Sequence, residues 1–217
     1  MFREMLLVQY KWSRTELIFY SLAAFLIPTL VVKVGFTQLS VYSIDQVLVV
    51  SEAAGVFYVL LALVCAAAFA LRPWLADSAL RHVYALSLPV PWAKFVQMRF
   101  VAGALLLIIP TLFIWLGGML ATAAVTIPPT LHAYPGGVAL RFAMSALVFY
   151  AATFVFQYFS GKHAAKVALV GLLVLVGAEL AGRALGLGSA IQGFGRIMTT
   201  APGPFETITA RWLLIDV

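Results

Sequence analysis

Charge is scarce in this sequence. Lys, Arg, Asp and Glu make up 10% of 217 residues, against about 25% in an ordinary soluble domain. A chain this poor in charge cannot cover a water-soluble globule, so a bilayer must be its main solvent. Basic clusters are also missing. The net charge of +6 is spread over the ends of apolar runs, whereas a nucleic-acid reader concentrates Lys and Arg on one face, so nucleic acid is excluded as a partner. Cysteine occurs once, at Cys65 inside an apolar run, which rules out an intrachain disulfide. The three histidines, His82, His132 and His163, fall in separate loops with no Cys or carboxylate at ligand spacing, so no metal site is expected. No cleavable signal peptide is visible in MFREMLLVQYKWSRTE, which charge interrupts.

Hydrophobic residues make up 64% of the chain, arranged in runs long enough to cross a membrane. The expected fold is all-α: a polytopic transmembrane helix bundle of about five spans. These are placed at residues 17–36, 47–71, 100–122, 138–159 and 167–185. Residues 1–16 precede them as an amphipathic interfacial helix, with Phe2, Met5, Leu6, Val8 and Trp12 toward lipid and Arg3, Glu4, Lys11 and Arg14 away from it. Residues 17–217 form one transmembrane domain. Pro28 and Pro110 lie inside the first and third spans and are expected kinks. Leu213, Leu214 and Ile215 read as the start of a further apolar run, which suggests a sixth span that is missing or trimmed.

Lys and Arg placement sets the orientation. The N-terminal segment, the 72–99 segment and the turn at 160–166 carry Lys and Arg, while 37–46 and 123–137 carry none. The basic segments therefore face the cytoplasm, and so does the N-terminus.

The most water-adapted stretch is RPWLADSALRHVYALSLPVPWAKFVQMR, residues 72–99. Pro73 is expected to end the second span, and Asp77 or Ser78 to cap a short helix running to about Ser87. Pro89 and Pro91 stop that helix. Asp77, Arg81 and Tyr84 share one face of it at spacings of four and three. With Leu88, Pro89 and Trp92 they form a surface suited to docking a partner. Two carboxylates, Glu52 and Glu179, lie inside apolar spans, where a charge must be paired or wetted. They are candidates for lining a translocation pathway, against a plainer reading as residues snorkelling to the outer interface, with Glu179 paired to Arg183.

Nucleotide-binding motifs are absent. Gly161-Lys162-His163 lacks the upstream glycine and following Ser or Thr of a Walker A loop, and the glycines at 186, 188, 193 and 195 follow a span rather than a buried strand. No nucleophile or base is visible beside the carboxylates, so no enzyme activity is expected of this chain.

The N-terminal helix ending Trp12-Ser-Arg-Thr-Glu16, the segment from Asp77 through Leu-Ser-Leu-Pro-Val-Pro to Trp92, and its continuation Lys94 to Arg99 resemble the membrane subunit of an ABC transporter, of the type-2 permease (exporter) superfamily. In layout the resemblance covers most of the chain; in motif it covers only these segments. It implies that the 72–99 segment is a coupling loop whose helix docks in a cytoplasmic ATPase subunit. ATP and Mg would then bind in that partner, and this chain would hold no cofactor. It further implies a homodimer or a pair with a related permease, surrounded by membrane lipids in a bacterial plasma (inner) membrane. The cargo would be lipid-like or amphipathic. The family usually has six spans, one more than is counted here. The alternative is an accessory or scaffold subunit of a larger membrane complex, with no transport activity.

Overall fold

The computed structural model describes residues 1–36, 44–79, 90–125, 131–158 and 214–216, with the side chains of 34–36, 44–54, 78–79 and 216 outside that description. Within it the chain is an all-α membrane bundle: α1 (Phe2–Trp12), α2 (Arg14–Phe36), α3 (Ile44–Ala79), α4 (Trp92–Leu106), α5 (Ile108–Ala123) and α6 (Pro135–Tyr158). Two strands of two residues, β1 (His132–Ala133) and β2 (Ile215–Asp216), join it. Four stretches among the described residues are long and apolar enough to cross a bilayer: Arg14–Lys33, Gly55–Asp77, Trp92–Ala123 and Pro135–Tyr158. Their outward residues, among them Ile18, Leu22, Phe57, Leu60, Leu112, Leu116, Leu140 and Phe156, are apolar and exposed, as lipid requires of a surface. The expected span at 167–185 lies outside the described residues.

The element boundaries differ from the sequence expectation in four places, each with a local cause. First, α1 ends at Trp12, not at residue 16. The break is mild: Ser13 has φ −105° and ψ 11°. The ladder runs on through it, since the Ser13 N–H donates to the Gln9 carbonyl at 3.0 Å and the Leu17 N–H to the Ser13 carbonyl at 2.8 Å. The face of α1 that sequence turned toward lipid is instead partly taken by protein: Met5 and Gln9 are buried, and Met5 clusters with Phe95 and Ala102 of α4.

Second, α3 does not stop at Pro73. It continues through the proline to Ala79, so Asp77 is a helical residue and not the cap of a new helix. At 36 residues it is about 54 Å long, well beyond a hydrocarbon core of about 30 Å.

Third, the long third span is divided at Leu107. Pro110 has no N–H for the Leu106 carbonyl, and its ring crowds that carbonyl. The chain tightens one turn earlier, where the Leu107 N–H donates to the Ala104 carbonyl at 3.2 Å, and the ladder resumes with Thr111 donating to Leu107 at 3.3 Å. Pro28, by contrast, is buried in an unbroken α2.

Fourth, Leu214 and Ile215 do not begin a helix. β2 pairs antiparallel with β1, His132 opposite Asp216 and Ala133 opposite Ile215, and the Tyr134 N–H donates to the Leu214 carbonyl at 2.9 Å. Both side chains are buried in the main core with Leu131 and Val138. Backbone pairing and burial satisfy this apolar segment where it lies.

In the core α2 packs on α5, α3 on α6, and α5 on α6, while α1 lies against α4. Tyr58, Cys65 and Phe69 of α3 and Phe142 and Tyr150 of α6 are buried at its centre. The Gly117 position on α5 meets the Phe25 backbone carbonyl of α2 so closely that a Cβ would overlap it.

Candidate functional site at the base of the 72–99 segment

At the end of the bundle that carries the N-terminus, α1, α3 and α4 converge on one ion pair. On α3, Pro73, Trp74 and Asp77 follow at helical spacings of one, three and four, so all lie on one side of its last turns. On α4, Phe95, Arg99 and Ala102 form the buried face. On α1 the facing residues are Met5, Gln9 and Trp12.

Arg99 is 1% exposed and Asp77 is fully buried. Arg99 Nη1 donates to Asp77 Oδ2 at 3.1 Å, and Nη2 donates to the Pro73 carbonyl oxygen. Three aromatic rings wall the guanidinium: Trp74 at 4.3 Å from its centroid, Phe95 at 5.5 Å and Trp12 at 5.8 Å. Rings at this distance add cation–π attraction and exclude water. Arg is suited to this place because its planar fork serves two acceptors while its face stacks.

The Gln9 carboxamide ties α1 to the same turn of α4. Oriented with its nitrogen toward the Arg99 carbonyl oxygen at 3.1 Å, its oxygen lies 3.3 Å from the Gly103 N–H. These are the two groups that a helix ladder joins at i and i+4, so Gln9 brackets one rung of α4. Gly103 is needed there, because a Cβ would overlap the Tyr150 hydroxyl and the Gln9 amide. Tyr150 of α6 in turn donates to the Phe100 carbonyl at 3.2 Å. An aromatic chain continues outward, with Phe154 5.2 Å from Phe100 and 5.7 Å from Trp74. Nearby, Arg72 Nε lies 2.7 Å from Glu16 Oε1, which links α3 to α2.

The Asp77–Arg99 pair sets one carboxylate against one guanidinium. It is a clamp: it ties the last turns of α3 to the first turns of α4, near the two ends of the intervening segment. Among the described residues no group of three or more His, Cys, Asp or Glu could hold a metal ion. Outside the spans, Glu4 pairs with the Met1 ammonium at 2.9 Å; the hydrogen bond and the positive charge hold its carboxyl below the usual carboxylate range.

The predicted site residues fare differently. Asp77 is buried inside the junction and faces Arg99, not an outward surface. Arg81, Tyr84, Leu88 and Pro89 lie outside the described residues. Trp92 is exposed at the first position of α4, with its ring stacked on Phe95 at 5.3 Å. Glu52 falls in α3 but its side chain lies outside the description, as does all of Glu179. Gln9, Arg99, Gly103 and Tyr150 were not singled out by sequence. Gln9 carried a signal, a lone amide between Met5 and Trp12 on the apolar side of α1. Asp77 and Arg99 carried another, opposite charges at the two mouths of a loop closed by Pro89 and Pro91.

The chain matches no family model, no curated protein and no solved structure.

Proposed function

We propose that this chain is the membrane-spanning permease subunit of an ABC-type exporter, moving a lipid-like or amphipathic substrate under the drive of a separate ATPase subunit. The observation that carries the reading is the Asp77–Arg99 junction. A segment that only links two spans has no need of a desolvated ion pair, three aromatic walls and a glutamine from a third helix at its base. A segment that receives force does, because a push on 80–89 then moves α3 and α4 together and draws α1 with them through Gln9. In this reading ATP and Mg bind in the partner, the ATPase cleft takes the 80–89 segment, and the spans are completed by a second copy or a related permease. A groove of about 400 Å³ between α4 and α6, lined by Val96, Phe100, Phe154 and Tyr158 among others, suits an apolar cargo or lipid chain. The N-terminus lies in the cytoplasm, as the basic residues at this end favour.

The test is co-purification from native membranes in mild detergent, comparing the intact chain with Tyr84→Ala/Leu88→Ala. A nucleotide-binding subunit that accompanies the intact chain and is lost from the double variant is the expected result. If another membrane complex accompanies it and no ATPase does, the chain is an accessory subunit and the permease reading fails.

A further inference from the structure

The structure reverses the roles of the two faces of α1. Its apolar side, with Met5 and Gln9 buried and Leu6 and Trp12 half-buried, is covered by α4 and the junction. The side left open carries Arg3, Leu7, Tyr10 and Lys11, and Arg14 follows at the first position of α2, all exposed. Leu7, Lys11 and Arg14 succeed one another at steps of four and three, so they lie on one stripe. The next steps of four along that stripe are Ile18 and Leu22, which are 62% and 54% exposed on α2.

The mild turn at Ser13, with the ladder intact across it, keeps the two helices in register. One stripe therefore passes from a lipid-facing apolar surface to two cations, Arg14 and Lys11, within a few residues, with Arg3 farther out. Glu4, the one acid on α1, pairs with the Met1 ammonium. No carboxylate among the described residues lies within ion-pair distance of Arg3, Lys11 or Arg14.

We propose that the outward face of α1 binds the headgroups of anionic phospholipid in the leaflet adjoining the N-terminus. The occupant is chosen by charge complementarity and by continuity with the lipid-facing stripe of α2. Because protein already covers the apolar side, the contact is electrostatic, with Leu7 and Tyr10 at the headgroup level, and not an insertion driven by the apolar face. It follows that the contact depends on lipid charge and weakens with salt, since screening acts over about 10 Å at 0.1 M. Arg14 and Lys11 lie within about 5 Å of one another along the axis, while Arg3 is about 16 Å from Arg14. Arg14 and Lys11 therefore contribute more than Arg3. This inference does not depend on the permease reading.

The experiment uses the full chain in nanodiscs of phosphatidylcholine, with or without phosphatidylglycerol. An environment-sensitive fluorophore is placed at Leu7→Cys in a Cys65→Ala background, which removes the only other thiol. The expected result is a blue shift with phosphatidylglycerol that added salt reverses and that Lys11→Gln/Arg14→Gln abolishes. Independently, the unlabelled natural chain should retain several-fold more phosphatidylglycerol through detergent washing than the Lys11→Gln/Arg14→Gln variant. Equal emission in both lipids, together with equal retention by the two chains, overturns the proposal. A shift that rises with protein concentration in lipid-free detergent also overturns it and makes the occupant a second copy. A shift that needs an added acidic protein overturns it in favour of a protein partner.

Discussion

Moving the guanidinium of Arg99 and the carboxylate of Asp77 out of water costs several kcal/mol per ion, and their attraction offsets this only while both are present. The expected outcome is therefore asymmetric. Arg99→Ala or Asp77→Ala should each lose about 3–5 kcal/mol of stability, read as thermal unfolding of the purified protein in detergent by tryptophan fluorescence. Asp77→Leu/Arg99→Met, which removes both charges and keeps apolar bulk, should recover most of that loss. Arg99→Lys should fall between, because an ammonium cannot serve Asp77 and the Pro73 carbonyl while stacking on Trp74. Single alanine variants that unfold within about 0.5 kcal/mol of the parent, the range of ordinary surface substitutions, would show that the pair is not the centre of the junction. At this scale sequence showed the charges but not their pairing. Asp77 and Arg99 lie 22 residues apart, and only the antiparallel return of the chain makes them neighbours.

Helix contacts are governed by how closely backbones approach. At Gly117 a Cβ would run into the Phe25 carbonyl, whereas at Gly118 it would meet the Pro135 Cβ at 3.0 Å and the Leu214 Cδ1 at 3.3 Å. A carbonyl in a helix cannot rotate aside as a side-chain end can. Gly117→Ala should therefore force α2 from α5 and cost about 1–3 kcal/mol, less a gain of up to about 1 kcal/mol in helix propensity. Gly118→Ala should cost less. Parallel thermal melts of the two variants decide the matter, and equal or reversed losses would mean that α2 and α5 do not meet at Phe25. The glycine pair was visible in sequence near the end of a span, but which of the two faced a backbone was not. Pro110 was more legible: its missing N–H and ring act on the chain locally, and the helix divides at Leu107, just before it. Pro73 shows the opposite case. It leaves the Phe69 carbonyl without its ladder donor, yet α3 runs on to Ala79, and the turn beyond it is held by the buried Asp77–Arg99 pair.

Across the whole molecule, the described ends on either side of residues 159–213 are far apart. Tyr158 closes α6, and Leu214 is bonded beside Tyr134 at its start, about 36 Å away along a 24-residue helix. The β1–β2 ladder thus brings the end of the described chain back to the face opposite the Asp77–Arg99 junction. In an antiparallel pair, opposed Cα atoms lie about 4.5–5.5 Å apart, inside the reach of a disulfide. Ala133→Cys/Ile215→Cys should accordingly cross-link on mild oxidation of the folded protein. A protease cut between the two positions should then leave the fragments joined until reductant is added. Fragments that separate without reductant would remove the ladder and with it this placement of residues 214–216.

Composition and run length determined that this chain is an all-α membrane bundle, because burying or wetting that much apolar surface leaves few other solutions. Basic-residue placement drew attention to the 72–99 segment as the adapted end, since charge asymmetry is a property of sequence position. Only the tertiary structure decided that Asp77 turns inward to Arg99, that α1 spends its apolar side on α4 and leaves its cations outward, and that Leu214 and Ile215 pair with a strand. Each of those outcomes is set by a partner distant in sequence, and helical periodicity specifies which residues share a face without specifying what that face will meet.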